Sequence, residues 1–176
     1  MTPAAAPPVR GTARARLLDA AVELIRRNGL HATTVDDLCA AAGVTKGAFF
    51  HHFESKEALA VAAADHWSDT TGALFAAAAF HDRATAVERI FGYLDLRASL
   101  ITGAPAEYTC LVGTMTQEAF ETSPAIRDAC AASIFGHATT LEADFAEALD
   151  AAGRPAGIDA PGLARHTQAV LQERSC

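Results

Sequence analysis

Residues 44–59, VTKGAFFHHFESKEAL, hold the side chains of this chain whose types and order could do chemistry. Thr45 and Lys46 supply a hydroxyl and a positive charge where a helix can begin, and a helix start adds unpaired backbone amides. Gly47 has no side chain, so another molecule can come close to the backbone there. This combination is typical of a site that binds phosphate.

The aromatic residues of the same stretch divide between two faces of a short helix. Phe49 and Phe53 are four residues apart and share one face, which we expect to be buried. Their predicted core partners are leucines of the preceding segments: Leu17, Leu24 and Leu38. Phe50 and His51 then project elsewhere, so the stretch predicts a very short helix with a packing face and a contact face.

Two further helices are predicted to position that stretch. Helical periodicity runs over residues 12–27 and ends before Gly29, which can take the left-handed conformation that closes a helix. A second helix begins at Thr34, a good N-cap followed by an acidic first turn, and stops at Gly43. Two short helices separated by a tight glycine-containing turn form the helix-turn-helix pattern, whose second helix enters the major groove of DNA.

Residues 17–59 resemble the DNA-binding signature of the TetR/AcrR (tetracycline-repressor) family of bacterial regulators. The pieces NG, TTV, AAGV, KG, HHF and SKE stand in the family's order. The resemblance implies a three-helix head that binds double-stranded DNA at a palindromic operator, a divergent helical body that binds a small-molecule effector, and a homodimer. It carries the family's DNA contacts over to seven positions: Thr34, Thr45, Lys46, Gly47, Phe50, His51 and Lys56.

One of these positions departs from the family pattern. The family often has a tyrosine where this chain has Phe50, and the tyrosine hydroxyl would bind a phosphate. Phenylalanine retains an apolar contact, for example with a thymine methyl group, but lacks one neutral hydrogen bond of ~0.5–1.5 kcal/mol.

The whole chain is predicted to be all-α, with a head followed by a body. Residues 1–11 are expected to form a flexible arm, residues 12–58 the helix-turn-helix DNA-binding domain, and residues 59–176 the helical effector-binding and dimerisation domain. One long helix is predicted from Pro124 to Ala152. The last helix ends earlier than in relatives, so two alternatives stay open: either the C-terminus is shortened, or this long helix provides most of the dimer contact through small residues, Ala129, Ala132, Ser133 and Gly136.

A cavity between body helices is the usual place for an apolar ligand held by a few polar groups. The candidate effector-binding residues are rings and polar side chains: Phe91, Tyr93, Tyr108, Cys110, Gln117 and His137. Two modes of response stay open, reversible ligand binding and thiol chemistry at Cys110. Cys110 begins a helical segment, where free amides can lower the pKa of a thiol.

Composition limits the other classes of function. The net charge is −7, yet residues 1–60 carry seven basic and six acidic residues, so the acidic excess lies in the later part and a locally basic face is compatible with the total. The four cysteines have no paired spacing, so a zinc site or disulfide framework is not expected, and free thiols suit a cytoplasmic protein. No signal peptide or membrane span is predicted.

Enzymatic activity is not predicted either. The sequence has no HExxH or GxSxG motif and no phosphate-cradling glycine loop, and no cofactor is implied. The adjacent carboxylates Asp36 and Asp37 are interpreted as partners of a helix dipole, not as a catalytic pair.

Overall fold

A computed structural model describes residues 11–173 of the chain, so most of the predicted arm and Cys176 lie outside the described part. Residues 11–173 form α-helices and one 3-10 turn, without a strand, which confirms the all-α prediction. The helices are α1 Ala13–Asn28, α2 Val35–Ala42, α3 Lys46–His52, α4 Lys56–Ala76, α5 Ala86–Ser99, α6 Pro105–Tyr108, α7 Leu111–Ala119, α8 Pro124–Thr139, α9 Glu142–Ala151 and α10 Ala160–Glu173. The 3-10 turn, Ala79–Asp82, lies between α4 and α5.

The helices of the head begin at hydroxyl side chains, as predicted. Thr34, Thr45 and Ser55 each accept a hydrogen bond from the backbone amide three residues further on. Asp37 completes a capping box by accepting from the backbone amide of Thr34, so two otherwise unpaired amides are satisfied. Gly43 ends α2 with a φ of 61°, a left-handed conformation in which a larger side chain would be strained.

A first apolar core holds α1, α2 and α3 together and joins them to the start of α4 and to α7. Phe49 is completely buried and Phe53 nearly so, which confirms that they form the packing face of α3. Of their predicted partners, Leu17 and Leu38 are fully buried and Leu24 is partly buried against the same core. A second core, centred on Tyr93, packs α5 against α9 and α10.

The predicted long helix from Pro124 to Ala152 is in fact two helices, α8 and α9. Thr139 and Thr140 lie at the break, and their hydroxyls donate to carbonyl oxygens within α8. The backbone amide of Leu141 bonds three residues back instead of four, at 3.0 Å, which tightens the chain into a turn. The break lets α9 pack against α5.

The small residues of α8 divide between an internal contact and the exposed side of the helix. Ser133 faces α4, because its hydroxyl accepts a hydrogen bond of 2.7 Å from Ser68. Ala129 packs against the first core, whereas Ala132 and Gly136 remain exposed. Two of the four small residues therefore bring α8 close to α4 within the protomer.

In the part of the chain between residues 11 and 173, no helix has both the length and the apolar character needed to cross a membrane.

Candidate nucleic-acid interface and internal cavity

The contact face predicted for α3 is exposed. We define the α3 surface as the exposed residues Thr45, Lys46, Gly47, Phe50 and His51. Phe50 is 55 % exposed, an unusual position for a large aromatic ring on a seven-residue helix, while neighbouring Phe49 is fully buried. Lys46 and Phe50 are four residues apart, as are Gly47 and His51, so each pair forms a row along the helix. The two rows are adjacent, so these residues can meet one partner together.

Lys46 already has a partner in the free protein. Its Nζ lies 2.8 Å from Oδ1 of Asp36 in α2, and both side chains are well exposed. The hydrogen bond to Asp36 raises the pKa of Lys46, so the lysine remains charged. A phosphate that binds Lys46 therefore has to compete with a neighbouring carboxylate.

Thr34 lies at the exposed start of α2 and is engaged in its capping box. Its hydroxyl donates to Oδ2 of Asp37 at 2.6 Å, and this bond lowers the pKa of the Asp37 carboxyl group. The first turns of α2 and α3 lie near each other on the surface, because the Lys46 side chain reaches Asp36.

Lys56, the seventh residue predicted to contact DNA, points into the protein instead. Its Nζ donates to the carbonyl oxygens of Leu30 and Thr33 at 2.9 Å each and approaches that of His31 at 3.4 Å. An ammonium group has three N–H donors, so these three carbonyls use all of them. We therefore replace the predicted phosphate contact with a positioning role: Lys56 ties the start of α4 to the loop between α1 and α2.

Arg26, near the end of α1, connects the head to the body. Its Nε and Nη2 donate to the carbonyl oxygens of Thr109 and Glu107, each at 2.6 Å, next to the short helix α6. Its guanidinium group also lies 5.0 Å from the ring of Trp67 in α4. Burial lowers the pKa of Arg26. The sequence did not predict these contacts, because nothing local shows which carbonyls this side chain reaches.

Two further polar contacts cross between head and body. A carboxylate oxygen of Glu118 in α7 accepts from the backbone amide of His31 at 2.7 Å, and the same side chain lies against Gly29. The hydroxyl of Ser123, at the start of α8, donates to Glu57 at the start of α4. The head is therefore attached to the body at several points.

A cavity of about 600 Å³ lies inside the body, between α4, the end of α5, the α6–α7 segment, α8 and α10. Its apolar wall contains six residues: Trp67, Phe75, Leu100, Ile101, Val112 and Ile134. Its polar wall includes Arg97, Gln168 and Gln172, which sequence reasoning did not identify. The volume falls within the range of small-molecule sites in proteins, ~300–1,000 Å³.

The predicted effector-binding residues divide into three groups. Tyr108, Cys110 and His137 line the cavity. Tyr93 lies behind its wall, 1 % exposed, with its hydroxyl 3.1 Å from Nε2 of His137. Phe91 and Gln117 are corrected: Phe91 is 59 % exposed because α5 turns Gly92 and Tyr93 inward, and Gln117 lies on the exposed side of α7.

The polar wall of the cavity contains a neutral histidine. Burial, assisted by the positive charge of Arg97, lowers the pKa of His137 to about 4. The amide of Gln168 donates to the Tyr93 oxygen at 2.5 Å, which leaves the Tyr93 hydroxyl proton free to point at Nε2 of His137. Sequence reasoning found Tyr93 and His137 but could not show that they form one hydrogen-bonded chain.

The described cysteines are free and buried. Burial raises the pKa of Cys130 to about 11, which makes that thiol unreactive. Cys39 packs in the first core. Cys110 is the N-cap residue of α7 and reaches the cavity, so a reagent inside the cavity can meet it.

A compact three-helix head with an exposed third helix, carried on a helical body that contains a cavity, defines a helix-turn-helix protein. The family described as bacterial regulatory proteins, tetR family, matches residues 17–63. Over these residues the match supports the TetR/AcrR family of the sequence resemblance.

Curated relatives are similar over about a third of this chain or less. The repressor KstR2 of Rhodococcus jostii (strain RHA1) is 46 % identical over 61 residues, 34 % of this chain and 30 % of its own length. The regulator UidR of Escherichia coli (strain K12) is 41 % identical over 46 residues, 26 % of this chain and 24 % of its own length. The match therefore spans less than a third of these relatives.

Solved structures extend the similarity of fold to the body. A TetR regulator from Chloroflexus aurantiacus is 28 % identical with a TM-score of 0.73, over 93 % of this chain and 82 % of its own. A putative TetR regulator from Streptomyces avermitilis is also 28 % identical, with a TM-score of 0.72 over 94 % and 85 %. Head and body thus have the arrangement found in these regulators.

Proposed function

We propose that this chain is a cytoplasmic, homodimeric transcriptional repressor that leaves a palindromic operator when a small molecule enters its cavity. The observation that carries the proposal is the exposed α3 surface on a head whose α1 is bonded, through Arg26, to the wall of the cavity. DNA and a small-molecule effector are its partners. A membrane partner is not part of the proposal.

The α3 surface is suited to enter the major groove. Thr45 and Lys46 supply a hydroxyl, a charge and free amides for the phosphates, Gly47 permits close approach, and Phe50 and His51 reach toward the bases. Since the head joins the body at residues 56–59, the two heads of a dimer would be spaced by their bodies. Operator half-sites one helical turn apart require ~34–36 Å between the two recognition helices.

The second protomer is expected to cover the exposed side of α8 and α10. Phe135 is 55 % exposed on α8 beside the small residues Ala132 and Gly136, and Val170 is 44 % exposed on α10. The two helices are neighbours in the fold. A pair of adjacent helices from each protomer would form a four-helix contact with Phe135 near its centre.

Release from DNA would follow from a shift between two arrangements of head and body. A ligand in the cavity touches Tyr108 and Trp67, both next to the group that Arg26 binds. Displacement of the carbonyls at Glu107 and Thr109 would move α1, and with it the spacing of the two recognition helices. Coupling of ~1–3 kcal/mol, typical of allosteric proteins, changes DNA affinity about 5–150-fold.

Replacement of Lys46 by alanine is expected to weaken binding to every DNA sequence by a similar factor, because phosphate contacts carry no sequence information. The dependence of log K on log salt should become shallower by ~0.9 for each phosphate that the variant no longer neutralises. Fluorescence anisotropy of a labelled duplex over a range of salt concentrations measures both quantities. An unchanged affinity and slope would remove Lys46 from the interface.

The matched control is Lys56→Met, which removes the other lysine of the segment. This change leaves three carbonyl oxygens without their donor, and we expect the free energy of unfolding to fall by ~1–3 kcal/mol. For protein that remains folded, the salt slope should match that of the wild type. A shallower dependence of log K on log salt for Lys56→Met would show that Lys56 contacts DNA after all.

The coupling role of Arg26 is tested by Arg26→Met, which keeps the length of the side chain but not its donors. We expect an effector found by thermal shift to bind the variant and yet to change DNA affinity less than it changes that of the wild type, by about fivefold or more. Equal release in both proteins would contradict the proposed route.

The same titration distinguishes the second candidate function, a thiol response. Cys110 favours it by lying in the cavity wall, where an electrophile could reach it. A Cys110→Ser variant that retains the full response supports reversible ligand binding. One that loses the response, together with a mass increase on wild-type Cys110, supports thiol chemistry.

A further inference from the structure

Four of the polar residues that line the cavity, Arg97, His137, Gln168 and Gln172, share contacts or one helix, and we name them the polar end. They are linked in space: the Tyr93 hydroxyl contacts both His137 and Gln168, and Gln172 follows Gln168 by one helical turn on α10. The Arg97 guanidinium lies 5.8 Å from the Phe75 ring, itself 4.7 Å from the ring of His137.

Arg97 has no carboxylate partner in the part of the chain between residues 11 and 173. Five arginines of this range, Arg27, Arg83, Arg89, Arg127 and Arg154, lie within 4.0 Å of an aspartate or glutamate, whereas Arg97 contacts the Phe75 ring and the Tyr93 hydroxyl. Its neighbour His137 is neutral and supplies no negative charge. A half-buried guanidinium without a counter-ion is a ready site for a planar anion.

The polar end also holds an acceptor without a donor. Oε1 of Gln172 is buried and has no hydrogen-bond partner among the described residues. Buried polar atoms are nearly always paired, so an orphaned oxygen on a cavity wall indicates a place for a donor of the ligand. The rest of the wall includes the apolar residues Trp67, Leu100 and Ile134 together with the hydroxyl residues Ser68, Thr71 and Ser133.

We propose that the effector is a small carboxylic acid with an apolar body, bound with its carboxylate on Arg97 and with a hydroxyl or amide N–H donating to Gln172. This inference rests on the proposed function, since it names the ligand class of the same cavity. The two acidic residues of the lining, Asp65 and Glu107, are exposed, and the Glu107 carboxylate accepts from the backbone amide of Ala104 beside α6, so neither of them supplies an ion pair to Arg97.

Three probes of equal chain length test the assignment: decanoate, decan-1-ol and decylammonium. Titration calorimetry of the full chain at pH 7.5 should show decanoate binding at least tenfold more tightly than either of the others, because charge-assisted hydrogen bonds are the strong ones. Tighter binding of decylammonium would show that the acidic residues of the rim define the site, and equal binding of all three would show an apolar site only. Both results overturn the proposal.

Arg97→Gln should lower the affinity for decanoate by about tenfold or more and leave that for decan-1-ol within about twofold. The matched control, Arg165→Gln, changes an exposed arginine of α10 that does not line the cavity and should have no effect. If Arg97→Gln does not fold, the wild-type probe series alone decides the matter. An equal loss of affinity for decanoate and decan-1-ol would reduce Arg97 to a structural residue.

A duplex-binding assay separates the ligand class from the proposed function. If the protein retards DNA at low salt but does not prefer decanoate, the proposed regulatory function stands and the proposed ligand class is wrong. If the protein prefers decanoate through Arg97 but retards no duplex, the proposed ligand class stands and the proposed regulatory function is wrong.

Discussion

Replacing Phe49 with alanine is expected to lower the free energy of unfolding by ~3–5 kcal/mol, the usual cost of a large cavity in a core. Phe49 is fully buried, and its ring lies 6.0 Å from that of Phe53. No other residue of the seven-residue helix α3 is buried, so the loss should detach α3 from α1 and α2. Urea denaturation followed by circular dichroism measures the change, and DNA binding should disappear with it.

The neighbouring residue provides the control. Phe50 is 55 % exposed, so Phe50→Ala should change the free energy of unfolding by less than ~0.5 kcal/mol while it weakens DNA binding. The pair therefore distinguishes the packing face from the contact face with one kind of substitution. Comparable destabilisation by both changes, or normal DNA affinity for Phe50→Ala, would contradict the assigned orientation of α3.

Acid is expected to destabilise the protein through His137. Its native pKa is about 4, against 6.5 for an ordinary histidine, because burial disfavours the charged form. The unfolded chain therefore binds a proton at this residue before the native protein does. The contribution of His137 to the free energy of unfolding is fully present above pH 6.5. It is lost progressively as the pH falls toward 4, by about 3 kcal/mol in all.

The measurement compares the wild type with His137→Gln by chemical denaturation at pH 7.5 and pH 4.5. Glutamine can still accept from the Tyr93 hydroxyl but has no proton to gain, so the variant should lose about 2–3 kcal/mol less over this interval. His52→Gln, at a partly exposed position of α3 that does not line the cavity, is the control and should behave as the wild type does. If wild type and His137→Gln lose the same stability in acid, His137 is not the cause of the acid sensitivity.

The head could be predicted from the sequence because its signals are local. Thr34, Thr45 and Ser55 cap helices through residues three positions away, Gly43 marks a left-handed turn, and Phe49 and Phe53 share a face by spacing alone. Each of these features is set within one or two turns of chain.

The rest could not be predicted, because it depends on contacts between distant segments. Lys56 has the type and position of a phosphate contact, yet its ammonium group meets carbonyls of the loop after α1. The periodicity of residues 124–152 continues through Thr139 and Thr140, so nothing in the apolar pattern shows the break after α8. Nothing in the sequence predicts that Arg97 lines the cavity without a carboxylate partner. This follows only from the packing of Arg97 beside Phe75 and Tyr93.

The contact between Gly29 and Glu118 limits how this protein can be engineered. Gly29 has a φ of 87°, and a Cβ atom at that position would overlap a carboxylate oxygen of Glu118. A graft that moves residues 12–58 onto the effector domain of another regulator would leave Gly29 and Arg26 without the surfaces they fit. A functional chimera will therefore need Glu118 and the segment around residues 107–109 in addition to the head, residues 12–58.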